Sequence, residues 1–406
     1  GSGSAGFPAT RGSRLGAHLI TQQDSPTVAS QRKAGVAILG ASTAPEFGLY
    51  PVTEGSLLGP TRNPWNLDYS PGGSSGGASA AIAAGVLPLA ETGDGGGSIR
   101  GPAHCTGIFG LKPSRGRLPD IGGLYGLSHT HVSTRTVRDS AAFLDATHGP
   151  APGARYHIPP PVRPFLDETR REPGRLRIGF CRSSVGSVPL HPECLRAVEK
   201  TAEILSKLGH HVEECSPDVG WDALHRAFQN VWIHPLPAGI ARLAALSGQA
   251  VGPDSLEITT LKILEVARKV TVDDLVAAEA VFQATRLAVD QFFQRFDLWL
   301  LPTKVSQAPK LGEFDPSLDH GDIEEYRWHV LNSYSAYTPI FNVTGNPAAS
   351  VPVVHGTNDL PVGVQIAAAV GNEAQIFQVS AQLEEATAWW KRQPPVSVFT
   401  SDIEVA

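Results

Sequence analysis

Two serines stand in glycine-rich loops. Ser74 sits in Pro71-Gly72-Gly73-Ser74-Ser75-Gly76-Gly77, and Ser98 ends Gly93-Asp94-Gly95-Gly96-Gly97-Ser98 before Ile99-Arg100. A serine hydroxyl is a weak nucleophile until a base takes its proton. A glycine loop running into a helix aims several backbone N–H groups at one point and adds the positive end of the helix dipole. That suits a bound phosphate or the oxyanion of a tetrahedral intermediate. The phosphate alternative lacks its own chemistry: a Walker loop needs Lys and Ser/Thr after its last glycine, and Ser98 is followed by Ile99 and Arg100. A dinucleotide G-x-G-x-x-G fits Gly93–Gly97 loosely and has no acidic ribose partner in place. A Ser-His-Asp arrangement has no G-x-S-x-G to build on, and His104, beside the second loop, reads as a core or surface residue. His129 and His131 lack a third ligand in a metal-binding pattern, and Cys105, Cys181, Cys194 and Cys215 form no C-x-x-C. The expectation is a site without metal or cofactor.

The two loops, their flanking residues and their spacing resemble the amidase signature family. The match is close from Ala5 to Asp145 and extends more weakly to the C-terminus. In that family a serine of a GGSSGG loop and a serine of a GGGS or TGGS loop work with an upstream lysine. The resemblance implies that Ser98 is the nucleophile and Ser74 the bridging serine, held after a cis peptide at Gly73. It implies that the N–H groups of Gly95, Gly96, Gly97 and Ser98 form the oxyanion hole, and that Ser75, Asp94 and Arg100 brace the loops. Asn342 and Thr344, in FNVTGNPAAS, fall where the family lines its substrate cleft. The lysine belongs to a Lys-Asp/Glu pair a few residues before AGFPATRGSR, which places it upstream of Gly1. Lys33 and Lys112 do not match its motif, and Lys112 in GLKPS resembles a structural position. The chain beginning at Gly1 is therefore expected to be nearly inactive, with no lysine within reach of Ser74.

The variant GDGGGSIRGPA, with PEFGL, GPTRNPW and GLKPSRGR, resembles the bacterial branch acting on small or xenobiotic amides: 6-aminohexanoate-oligomer hydrolases, aryl acylamidases and urethane-cleaving enzymes. The subunit that makes glutaminyl-tRNA is similar but reads TDTGGSIR followed by Gln, where this chain has Gly101. A scaffold that keeps the fold and has lost its base is a second alternative.

These loops need elements to hold them. Small residues at 76–86 predict a tightly packed helix, 86–91 a strand, and 98–107 a helix after the second loop. Ser25 or Asp24 caps a helix ending at Gly35, followed by a strand over 36–39. A helix is expected over 136–147, and Pro and Gly make 148–175 an extended connection. Strand 176–180, helix 192–208 and strand 211–214 form a βαβ unit, which argues parallel pairing. Residues 221–295 are helix-rich, 298–301 and 362–366 are strands, and 375–388 is a helix. The expected fold is α/β: an amidase signature core from 1–220 and 336–406, with a large mixed, twisted sheet flanked by helices on both faces. Residues 221–335 form a helical subdomain roofing Ser98.

Composition narrows the partners. Lys+Arg 33 against Asp+Glu 39 gives a net charge of −6, which speaks against a polybasic nucleic-acid footprint. No run of 18 apolar residues offers a membrane span, and GSGSAGFPATRGSR has no apolar signal region. The expected setting is cytoplasmic. The expected partner is a small amide or carbamate rather than nucleic acid or membrane, and the chain is expected to be a monomer or homodimer.

Overall fold

The computed structural model describes residues 3–119, 124–185 and 188–399. Strands β1 (Leu89–Asp94), β2 (Phe109–Lys112), β3 (His129–Thr134), β4 (Arg177–Phe180), β5 (His211–Glu214), β6 (Leu298–Pro302), β7 (Ala348–His355) and β8 (Pro361–Ala368) join in one sheet. Their order is β1-β3-β2-β7-β8-β6-β4-β5. β4 pairs parallel with β5 and with β6, and the other neighbours run antiparallel, so the sheet is mixed. The helices are α1 (Pro26–Lys33), α2 (Gly76–Ala83), α3 (Arg100–Thr106), α4 (Val137–Thr147), α5 (Phe165–Glu168), α6 (Pro192–Lys207) and α7 (Trp221–Ile233). They continue with α8 (Leu236–Ser247), α9 (Ile258–Ala267), α10 (Val272–Phe293), α11 (Ile323–His329), α12 (Pro339–Thr344) and α13 (Glu373–Thr387).

The alternation of side chains along a strand explains the two layers of helices. Leu298 and Leu300 of β6 point into a cluster with Val137, Val198 and Phe377 from α4, α6 and α13. Trp299 and Leu301 point the other way, to Phe228, Phe282 and Phe341 from α7, α10 and α12. Because both faces are covered, β6, β7 and β8 read as nearly continuous apolar runs, the pattern of a sheet interior. Within 221–335, α7–α11 are helical, while β6 belongs to the central sheet.

Several expected elements differ. Val36–Leu39 forms no strand: it has no neighbour to pair with, the Val36 N–H turns back to the Gln31 carbonyl, and Leu39 is 79% exposed. The strand expected at 86–91 begins at Leu89 and ends at Asp94, because pairing with β3 fixes its register and Val86 stays outside. β2, β3 and β7 were not anticipated; the polar run His129-Thr130-His131 becomes strand because it pairs with Thr92–Asp94 of β1, while β2 joins β3 only at Ser133 and Thr134.

The Pro51–Gly55 segment links the first serine loop to the β6–α11 connection. Glu54 accepts the Gly312 N–H at 2.8 Å and is otherwise buried. Burial raises its carboxyl from 4.5 to about 7. A carboxyl raised in this way stabilises the fold fully below its unfolded value and loses that contribution as pH climbs from about 4.5 to about 7. Glu54→Gln should therefore gain about 1–3 kcal/mol relative to the parent at pH 8 and little at pH 4.5. Denaturation of both proteins at the two pH values measures it, and an equal effect at both would contradict it.

Candidate active site

The first serine loop is shaped by the chain that crosses it. Thr53 Oγ1 donates to the Gly72 carbonyl at 2.9 Å and accepts the Gly76 N–H at 3.1 Å. A Cβ at Gly73 would stand 2.4 Å from the Val52 carbonyl oxygen, so a side chain there would displace backbone. The Gly73–Ser74 peptide is cis, as the family resemblance implied. Ser75 then ties the two loops together: its hydroxyl accepts the Gly93 N–H at 3.1 Å and lies 3.3 Å from the Gly93 carbonyl.

The second loop is built on Asp94, the last residue of β1. Its carboxylate accepts from the Gly97 N–H (2.7 Å), the Ile99 N–H (3.2 Å), and Arg100 Nε and Nη2 (2.9 and 2.8 Å). Asp94 and Arg100 are both wholly buried. Burial alone would push the carboxyl up; the Arg100 guanidinium and the Asn342 amide reverse this and hold it well below the usual range. Arg100 in turn donates to the Thr338 carbonyl, Gln365 Oε1 and Asn342 Oδ1, crossing to the far end of the chain.

This network revises three expectations. The Gly97 N–H is engaged by Asp94 and cannot serve an oxyanion; the N–H groups of Gly95, Gly96 and Ser98 have no acceptor among the described residues. Asn342 does not line the cleft: its amide donates to Asp94 Oδ1, the Asp94 carbonyl and the Leu127 carbonyl, each at 2.9 Å, which makes it a brace. Thr344 closes α12 in the interior, away from the cavity.

One cavity opens beside both loops. It holds about 750 Å³ of empty space, counted out to its open mouth. Gly73, Gly96, Gly97 and Ser98 form its floor, and Phe228 and Trp232 of α7 stand over Gly96 and Gly95. Ser74 Oγ lies 3.5 Å from the place a Cβ on Gly48 would take, and Gly48 is also on the wall.

Lys304, just past β6, reaches the same cavity, and the sequence reading passed over it. It is 2% exposed, donates to Ser335 Oγ at 2.9 Å and lies 4.6 Å from the centre of the Tyr334 ring. Burial lowers its amine to about 8. Its stem lies against Gly101, where a Cβ would come within 2.6 Å of Cε. The available signal was a lone cation after the apolar run LWLLP, together with glycine at 101.

The histidines are structural. His104 is held between the Gly363 backbone and the Ser306 carbonyl, and burial takes it down to about 4. His129 bonds the Leu127 carbonyl and His131 the Ser140 hydroxyl. Among the described residues, no group of three His, Cys, Asp or Glu side chains could hold a metal ion. No described helix is long and apolar enough to cross a membrane.

Comparison with known proteins agrees with this architecture. A family model described as Amidase matches residues 4–377. The 6-aminohexanoate-cyclic-dimer hydrolase of Pseudomonas sp. (strain NK87) is 37% identical over 387 residues, covering 91% of this chain and 78% of that protein. A solved 6-aminohexanoate cyclic dimer hydrolase in complex with substrate superposes with a TM-score of 0.90 at 34% identity, over 97% of this chain and 85% of that one. A bacterial aryl acylamidase of the amidase signature enzymes superposes with a TM-score of 0.86 at 26% identity, over 96% and 81%. The chain belongs to the amidase signature family and is an amidase, a hydrolase of amide bonds.

Proposed function

We propose that this amidase cleaves small amides, and related carbamates, through an acyl-enzyme on Ser98. The observation that carries this is the junction of two serine loops, tied by Ser75 to Gly93, at the floor of one cavity. Ser98 Oγ attacks the substrate carbonyl carbon, and its proton passes to Ser74, whose own proton goes to a lysine amine. The carbonyl oxygen gains the negative charge and is held by the N–H groups of Gly95, Gly96 and Ser98. Collapse of this intermediate breaks the C–N bond, and the proton returns through Ser74 to the departing nitrogen. Water then enters by the same relay, cleaves the ester and frees Ser98. The family pattern assigns the lysine to a position upstream of Gly1.

The cyclic dimer named for the similar Pseudomonas enzyme and the similar aryl acylamidase suggest the substrate class: small amides that pack against the stacked Phe228 and Trp232 rings. No observation favours the glutaminyl-tRNA reaction, and Gly101 leaves room for Lys304 where that subunit carries Gln.

Ser98→Ala should lower amide turnover by at least about 10³-fold, and an aryl sulfonyl fluoride should label Ser98 in the parent and not in the variant. Turnover surviving in Ser98→Ala with labelling elsewhere would contradict the assignment. Asp94→Asn should destabilise by about 3–5 kcal/mol, because it leaves Arg100 buried without its counter-charge. It should also cut kcat, since the loop it orders carries Ser98; a variant with parental stability would show that Asp94 is not the organiser. A chain extended upstream through the Lys-Asp/Glu pair should cleave amides at least about 100-fold faster than one starting at Gly1, the range of general-base assistance. Equal rates would place the base within the present sequence, with Lys304 the first residue to replace.

A further inference from the structure

The cavity wall above Ser98 is electrically one-sided. Among the described residues no aspartate or glutamate lines it, whereas Lys304 and Arg327 both do. Arg327, on α11, is 7% exposed. Its Nη1 pairs with Glu324, whose side chain is 60% exposed, at 2.8 Å. Its Nη2 is buried and makes no hydrogen bond among the described residues. Gln229, on α7, also lines the wall, and its side-chain Nε2 is likewise buried without an acceptor among the described residues. Protonated Lys304 Nζ has three protons and, among the described residues, one hydrogen-bonding partner, Ser335 Oγ.

Leaving such donors unmet inside a protein is costly, and the cost is larger for a charged group. Hydrophobic walls with a few converging polar groups mark the part of a ligand site that sets orientation. A guanidinium and an amide donor on the walls of one cavity can each donate to an oxygen of a carboxylate, which accepts and does not donate. A neutral hydrocarbon end would leave both donors unpaired.

We propose that Arg327 and Gln229 form a carboxylate-binding subsite, with Lys304 adding positive potential deeper in the cavity. The preferred substrate is then an amide whose non-reacting end bears a free carboxylate. This deepens the amidase reading and rests on it: the scissile amide sits at Ser98 while the acid end docks on α7 and α11. Arg327 and Gln229 are binding residues remote from the reacting bond.

Two substrate pairs differ only in that carboxylate: 6-acetamidohexanoate against N-hexylacetamide, with the acid on the amine side, and N-methyladipamate against N-methylhexanamide, with the acid on the acyl side. In at least one pair the acid should be cleaved with a kcat/KM tenfold or more above its neutral partner, mostly through KM. Arg327→Met should remove that preference, costing the acid at least tenfold more than the neutral compound, and Arg327→Lys should restore part of it. Calorimetric titration of Ser98→Ala with the same compounds tests the subsite without turnover: the acid should bind at least tenfold tighter, and the added Arg327→Met change should abolish the difference. A thermal melt shared with the parent shows that each variant folds. Equal binding of acid and neutral ligands in both pairs, or an Arg327→Met loss that is the same for both, overturns the subsite. Failure of the chain extended upstream through the Lys-Asp/Glu pair to cleave any of the four amides, with the binding preference present, would instead count against the Ser98 reading and leave the subsite standing.

Discussion

A carboxylate and a guanidinium, both wholly out of solvent, meet at 2.8 Å behind the Gly95–Ser98 loop. Much of the site depends on that contact. Taking two charges out of water costs several kcal/mol each, and the pair is tolerable because every remaining lone pair and proton has a partner. Asp94 takes up the Gly97 and Ile99 N–H groups, which turns the chain so that Ser98 stands at the start of α3. Arg100 reaches Thr338, Asn342 and Gln365, which fastens the loop to α12 and β8, more than 200 positions away. A glycine loop has little rigidity of its own; here the rigidity comes from the ion pair beneath it.

The same logic separates the two kinds of polar group around the cavity. Beneath the serines, donors and acceptors are matched: Ser75 with Gly93, Thr53 with Gly72 and Gly76, Asn342 with Asp94. Above them, Arg327 and Gln229, two residues of the cavity wall, keep buried donors without partners among the described residues. A matched group fixes geometry before substrate arrives, whereas an unmatched one gains its partner on binding. The apolar stack of Phe228 and Trp232, with ring centres 5.8 Å apart, separates the loop from solvent and raises the weight of each electrostatic contact inside.

Lys304 shows how packing turns a surface-type residue into a buried one. Its amine is taken out of water beside the Tyr334 ring and Ser335, in a space that exists because residue 101 is glycine. Burial favours the neutral amine and brings its titration down to about 8.

The serine loops were legible in the sequence because their chemistry is local. Glycine is required where the chain passes within 2.4 Å of another backbone, and the N-cap and loop residues are neighbours along the chain. Hence the family resemblance could attach expected roles to Ser74, Ser75, Asp94, Ser98 and Arg100 on GGSSGG and GDGGGSIR alone. The long helices and the βαβ unit were legible for the same reason, since their periodicity repeats within a few residues. Tertiary structure alone decided the rest. Asn342 braces Asp94 instead of lining the cleft because two segments 248 positions apart meet, and Gly97 drops out of the oxyanion donors because a side chain three residues earlier takes its N–H. β3 is a strand because β1 and β2 complete its hydrogen bonds, and Val36–Leu39 is not because nothing lies beside it. Lys304, Arg327 and Gln229 reach one cavity from β6, α11 and α7, a convergence that no spacing along the chain records.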